Sequence, residues 1–204
     1  VSPMDGVPRP RTPSAPKPHF DDDELAALLS VCRGASFECV RDTAMLRFFM
    51  STGCRLGEVS GLNLADVDVI HRRAMVTGKG ARSRVVRLTP RCAQALHRYT
   101  MLRSRHPYAA SSQFWLGERG PLTIGGVRLV VRRRAAQSGV SGCNPHKFRH
   151  TYAHTWRKAG GSVVDLEILM GWAPNSPMSR HYGATAMADV ALEHADALGI
   201  GEHL

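Results

Sequence analysis

Paired cysteines at metal-binding spacing are missing from this chain. Its five cysteines, Cys32, Cys39, Cys54, Cys92 and Cys143, are scattered, with no C-x-x-C among them. That argues against a disulfide framework and against a structural zinc, and leaves free thiols in a reducing compartment as the expectation. Long apolar runs are also missing: no stretch approaches the roughly 18 residues needed to span a bilayer. The first residues carry prolines where a secretory signal would be apolar, so the expected location is the cytoplasm, with no membrane partner. Acidic residues are scarce: 17 Asp and Glu face 27 Lys and Arg, a net charge of +10. Such an excess suits a polyanion, because each phosphate neutralised releases condensed counterions. Taken alone, it equally describes a solvated basic surface.

What is present divides the 204 residues into a short leader and one domain. Residues 1–19 hold Pro3, Pro8, Pro10, Pro13, Pro16 and Pro18, half of the 12 prolines. They read as an extended linker, and a linker suggests a domain upstream in a longer protein. Residues 20–204 read as a folded unit. In "FDDDELAALLS" an aspartate among 21–23 caps a helix with Leu25, Leu28 and Leu29 on its inner stripe. A second helix covers about 37–52 and stops at Gly53; "CRLGEVSGL" begins a short third. Val67, Val69, Val76, Val85, Val86 and Leu88 predict short strands, joined in part by the turn "TGKGA". Helices return from Pro90, after Thr123, and after the cap-and-proline pair Asn144–Pro145. Gly160–Gly161 ends the last of these. Ser162 and Asp165 form a capping-box pattern for the next, and Thr185 caps a final one. The expected fold class is α+β, mainly α-helical with a small antiparallel β-sheet.

Cleaving a phosphodiester without a metal sets a short list of requirements. Fixed cations must hold the non-bridging oxygens, and arginine suits best through its permanent charge and planar fork. A nucleophile must attack, and a proton must reach the leaving oxygen. Arg55 lies where a helix begins, Lys79 at the tip of a glycine-flanked turn, and His146 and Arg149 one helical turn apart. Trp172 follows in "LMGWA", and Tyr182 in the basic segment "SRHY".

"TGCRLGEVSGL", "VTGKGARSRVVRL", "HKFRHTYA", "LMGWA" and "SRHY" stand in this order in the chain. Together they resemble the catalytic domain of the tyrosine recombinase (phage integrase) family over about residues 20–198. The resemblance implies that Arg55 and Arg149 clamp the scissile phosphate and that Lys79 protonates the 5′ leaving oxygen. His146 would accept the tyrosine proton or hydrogen-bond the phosphate, and Tyr182 would form a 3′-phosphotyrosine. Glu58 and His150 match supporting positions. Many members carry histidine where Trp172 stands, and some tryptophan; an indole donates a hydrogen bond but takes no proton. The implied activity is site-specific recombination through a Holliday junction, by a homo-tetramer joined through its C-terminal segment. The implied partner is double-stranded DNA bearing specific recombination sites, with DNA-bending accessory factors as further partners.

Plainer readings compete at several positions. Arg82, Arg84, Arg128, Arg132, Arg133, Lys147 and Arg180 are candidate DNA contacts, with solvated charge as the alternative. Tyr152 is a rival nucleophile, though an aromatic core residue is expected there. His146, His150 and His154 are spaced like metal ligands, but neither an acidic residue nor a cysteine completes a site, so no metal or other cofactor is expected. A type IB topoisomerase, an inactive DNA-binding module of the same fold and a metal-dependent nuclease are the rival functions.

Overall fold

A computed structural model of the chain describes residues 18–176 and residue 178. Residues 1–17, 177 and 179–204 lie outside the described residues, as does the side chain of Lys79. The proline-rich stretch up to Lys17, Arg180, Tyr182 and the helix expected after Thr185 therefore have no structural account.

The first helix, α1 (Asp22–Ser30), starts at a reciprocal cap: Asp21 Oδ1 accepts from the Glu24 amide at 2.7 Å, and Glu24 Oε2 accepts from the Asp21 amide at 3.2 Å. Next comes α2 (Phe37–Thr52), capped by Ser36 and packed against three of the later helices and a strand of the sheet. It is apolar around much of its circumference, as a helix surrounded by protein must be; Ala44, Met45, Leu46, Phe48 and Phe49 are fully buried. Buried within it, Asp42 takes hydrogen bonds from Arg41 Nε (2.8 Å), Arg133 Nη2 (2.7 Å) and Arg134 Nε (2.8 Å). A buried carboxylate of this kind requires cationic partners.

After α3 (Leu56–Ser60) the chain forms an antiparallel sheet of β1 (Val67–Asp68), β2 (Arg73–Thr77) and β3 (Ser83–Arg87) in that order. Val76 lies opposite Arg84, and Thr77 opposite Ser83. The short 3-10 turn Lys79–Ala81 connects them. Val69, expected in a strand, instead follows the end of β1 and packs against the core.

Helix α4 (Pro90–Arg103) leads into a loop that its last residue organises. The Arg103 guanidinium donates to the carbonyls of Ala109, Ser111, Gln113 and Phe114. The loop returns as a small hairpin, β4 (Leu116–Gly117) and β5 (Gly120–Pro121), absent from the sequence expectations. Tyr99, Phe114 and Trp115 pack beneath it. Then follow α5 (Ile124–Ser138), capped by Thr123, and α6 (Pro145–Lys158), whose cap Asn144 accepts from the amides of His146 and Lys147. The last described helix is α7 (Val163–Met170), where Ser162 accepts from the Asp165 amide, the forward half of the expected box. Phe148 of α6 lies between Phe20 and Phe49, which seats α6 on α2.

Candidate active site

The end of α2 sets the site. Gly53 adopts φ +58°, a left-handed conformation that suits a helix C-cap and that glycine accepts without steric cost. Space demands glycine as well, since a Cβ there would fall 2.9 Å from Tyr152 Cβ. The chain then turns into α3 with Arg55 at its start and Glu58 one turn on. Glu58 Oε2 accepts from the Arg55 amide at 2.8 Å, and Arg55 Nη1 donates to Oε1 at 3.0 Å. The Arg55 side chain is 44% exposed, whereas that of Glu58 is 2% exposed.

Arg84 reaches the same carboxylate from β3. Its Nη1 and Nη2 donate to Oε1 and Oε2 at 2.7 and 2.9 Å, the bidentate geometry that suits a planar fork. Burial alone would raise the Glu58 pKa. The Arg84 hydrogen bonds, the Arg55 amide and the two guanidinium charges outweigh it and hold the carboxyl at about 2. Arg84, expected among the DNA contacts, is mostly buried and engaged inside the protein. Its place was readable from strand alternation: Arg84 and Val86 share a face, and Val86 is core.

Arg149 arrives from α6 and is 1% exposed. Its Nη1 donates to the Gly53 carbonyl at 3.0 Å, and its Nη2 to the Met170 carbonyl at 2.6 Å. The first bond ties the guanidinium to the turn that carries Arg55, across 96 positions of sequence. The second ties it to the end of α7, where Gly171 takes φ +61° and lets the chain turn towards Trp172. The Arg149 guanidinium carbon sits 5.1 Å from the centre of the Trp172 ring, within cation–π range. The indole thus presents its face to Arg149, a contact that the sequence reading, concerned with its N–H, did not include.

The other expected residues divide by position. His146 is exposed at the start of α6, and its ring meets that of buried His150 edge-on at 4.5 Å. His154 stacks on His19 at 3.8 Å. Among the described residues no group of three His, Cys, Asp or Glu is placed to hold a metal. The backbone of Lys79 lies in the turn after Gly78, and Gly78 is so near Glu58 that an added Cβ would fall 3.1 Å from its Oε1. Arg82, Arg128 and Arg132 are exposed. Lys147 is buried, pairs with Glu24 at 3.0 Å and lies over the Phe20 ring. Arg133 pairs with buried Asp42. Tyr152 is half-buried in α6, and burial pushes its phenol pKa up, the wrong direction for an ionised nucleophile.

The model of the Phage integrase family matches residues 18–189. The tyrosine recombinase XerC of Roseiflexus sp. (strain RS-1) is 33% identical over 165 residues, covering 78% of this chain and 51% of that protein. XerC of Actinobacillus pleuropneumoniae serotype 7 (strain AP76) is 28% identical over 172 residues, covering 84% and 56%. The chain therefore spans about half the length of these relatives. In fold it is similar to the XerA recombinase, with TM-score 0.77 at 23% identity over 91% of this chain and 66% of that one. It is also similar to the XerH site-specific recombinase bound to palindromic difH substrate, with TM-score 0.71 at 18% identity over 87% and 52%. With this mainly helical fold and a match over most of its length, the chain belongs to the phage integrase family.

Proposed function

We propose that this chain is the catalytic domain of a site-specific DNA recombinase that works in the cytoplasm on paired sites. Arg55 and Arg149 hold the non-bridging oxygens of one phosphate. The Tyr182 phenol oxygen attacks phosphorus and the bond to the 5′ oxygen breaks. Lys79 supplies the proton that makes the leaving group a hydroxyl, and His146 takes the phenol proton or bonds the phosphate. Trp172 flanks Arg149, and Glu58 and His150 support the basic groups. The product is a 3′-phosphotyrosine, which keeps the bond energy, so a 5′ hydroxyl of the partner strand reverses the step without a nucleotide cofactor. Two such exchanges pass through a Holliday junction in a tetramer joined by C-terminal segments, with accessory DNA-bending proteins where the sites need them.

One observation carries the reading: the Arg149 guanidinium on the Gly53 carbonyl brings an α6 cation to the turn that presents Arg55. That is how two separate segments would make one anion site. An unassisted phenol has a pKa near 10, so the tyrosine must work beside such cations. The test uses a nicked duplex from which the cleaved end diffuses away. Wild type should accumulate a protein–DNA adduct that survives denaturant, and Tyr182→Phe should form none. An adduct that persists in Tyr182→Phe, or none from wild type on any recombination site tried, defeats the proposal.

A further inference from the structure

Arg84 has no part in the mechanism above, yet three of its nitrogens engage two elements of the site. Nη1 and Nη2 grip the Glu58 carboxylate, and Nε donates to the Leu169 carbonyl of α7 at 2.7 Å. The next carbonyl, Met170, takes Arg149 Nη2. Two arginines from different elements thus hold successive carbonyls at one helix end. On the other side, Glu58 bonds both the amide and the guanidinium of Arg55. Gly78, which precedes Lys79, approaches Glu58 Oε1 so closely that an added Cβ would lie 3.1 Å away, and one on Gly171 would lie 3.1 Å from Arg84 Nη1.

We propose that Arg84 is a positioning residue for phosphodiester cleavage, fixing Arg55, the Lys79 turn and the end of α7 that holds Arg149 in one register. The inference rests on the function proposed above. Arg84 spends its fork on the Glu58 carboxylate, which offsets the charge that a DNA phosphate would otherwise draw on. A buried ion pair is weak evidence for stability but well suited to fixing geometry. Lysine could not reproduce the fork, being a point charge on a flexible stem.

The full chain as Arg84→Lys and Arg84→Gln tests this, with single-turnover cleavage measured at saturating nicked duplex and affinity by fluorescence anisotropy. Cleavage should fall on the order of 10²-fold while affinity stays within about threefold, the mark of an interaction that serves the transition state rather than binding. Lost affinity with the saturating rate preserved would make Arg84 a phosphate contact and overturn the inference, as would no change in either. Gly78→Ala leaves Arg84 in place but crowds Glu58. It should slow cleavage in the same way, and covers the case in which the Arg84 variants fail to fold; unimpaired cleavage in Gly78→Ala counts against the brace. Wild-type cleavage is the control for the proposed function itself. If wild type forms no adduct, hydrogen exchange decides: in Arg84→Lys the amides of 54–58 and 169–172 should exchange faster together, with α4 unchanged. Unaltered exchange there overturns the inference whatever the DNA result.

Discussion

Glu58 keeps its charge at a depth where a lone carboxylate would be neutral, because two arginines and an amide surround it. With its pKa at about 2 instead of 4.5, its contribution to stability is complete above pH 4.5 and drains away as pH falls towards 2. The shift corresponds to about 3 kcal/mol. Glu58→Gln should flatten the acid limb of a urea-unfolding series across that window. It should also cost about 3–5 kcal/mol at neutral pH, since it leaves Arg84 buried without its counter-charge. Parallel acid limbs in wild type and variant would show that Glu58 is not the titrating group. Much of this was legible in the sequence, because Arg55 and Glu58 are one helical turn apart and the i,i+3 relation is local. Arg84 was less so. A basic residue after a basic turn reads as surface, and only the alternation of β3 reveals that it faces inward. Lys147, expected among the DNA contacts, is instead buried, and its place was hidden for another reason: its partners Glu24 and Phe20 lie more than 120 positions earlier, and no local pattern encodes such a meeting.

Helices were the most legible elements, because their ends are chemically marked. Asp21, Ser36, Thr89, Thr123, Asn144 and Ser162 all accept a backbone hydrogen bond at a helix start. The β4–β5 hairpin was not legible, since two-residue strands carry no alternation and the loop leading into it is ordered by the Arg103 guanidinium rather than by a local turn signal. The end of α2 is where element and site meet. Gly53 at once terminates the helix, clears Tyr152 and offers its carbonyl to Arg149. Gly53→Ala should therefore combine left-handed backbone strain, about 1–2 kcal/mol, with a clash in a packed region, about 1–3 kcal/mol. The urea midpoint should fall accordingly. Unchanged stability would mean that α6 moves away from α2 at little cost, and the Arg149 bond would then not be rigidly set by Gly53.

Across the whole molecule, the excess of positive charge is not one uniform coat. Some of it is internal: Arg41 and Arg134 are buried against Asp42, which Arg133 reaches from the surface, Arg84 faces Glu58, and Arg103 ties a loop. The run "RLVVRRRAA" makes the division visible within one helix: Arg128 and Arg132 are exposed, Arg134 is buried against Asp42, and Arg133 pairs with Asp42 while still half-exposed. Net charge could not separate these uses, because an ion-paired arginine counts the same as an exposed one. Salt dependence can separate them. Each phosphate contact adds roughly 0.9 to the slope of log affinity against log salt. If Arg128 and Arg132 touch the backbone, the double change to alanine should lower that slope by about 1.8 on nonspecific duplex. The melting temperature should barely move, since neither side chain is buried. Arg133→Ala should behave in the opposite sense, losing some stability because Asp42 keeps only Arg41 and Arg134, while leaving most of the salt response intact. A slope unaffected by the Arg128 and Arg132 changes would assign both to solvated surface, and the phosphate-binding face would have to be sought around Arg55, Arg82 and the Lys79 turn.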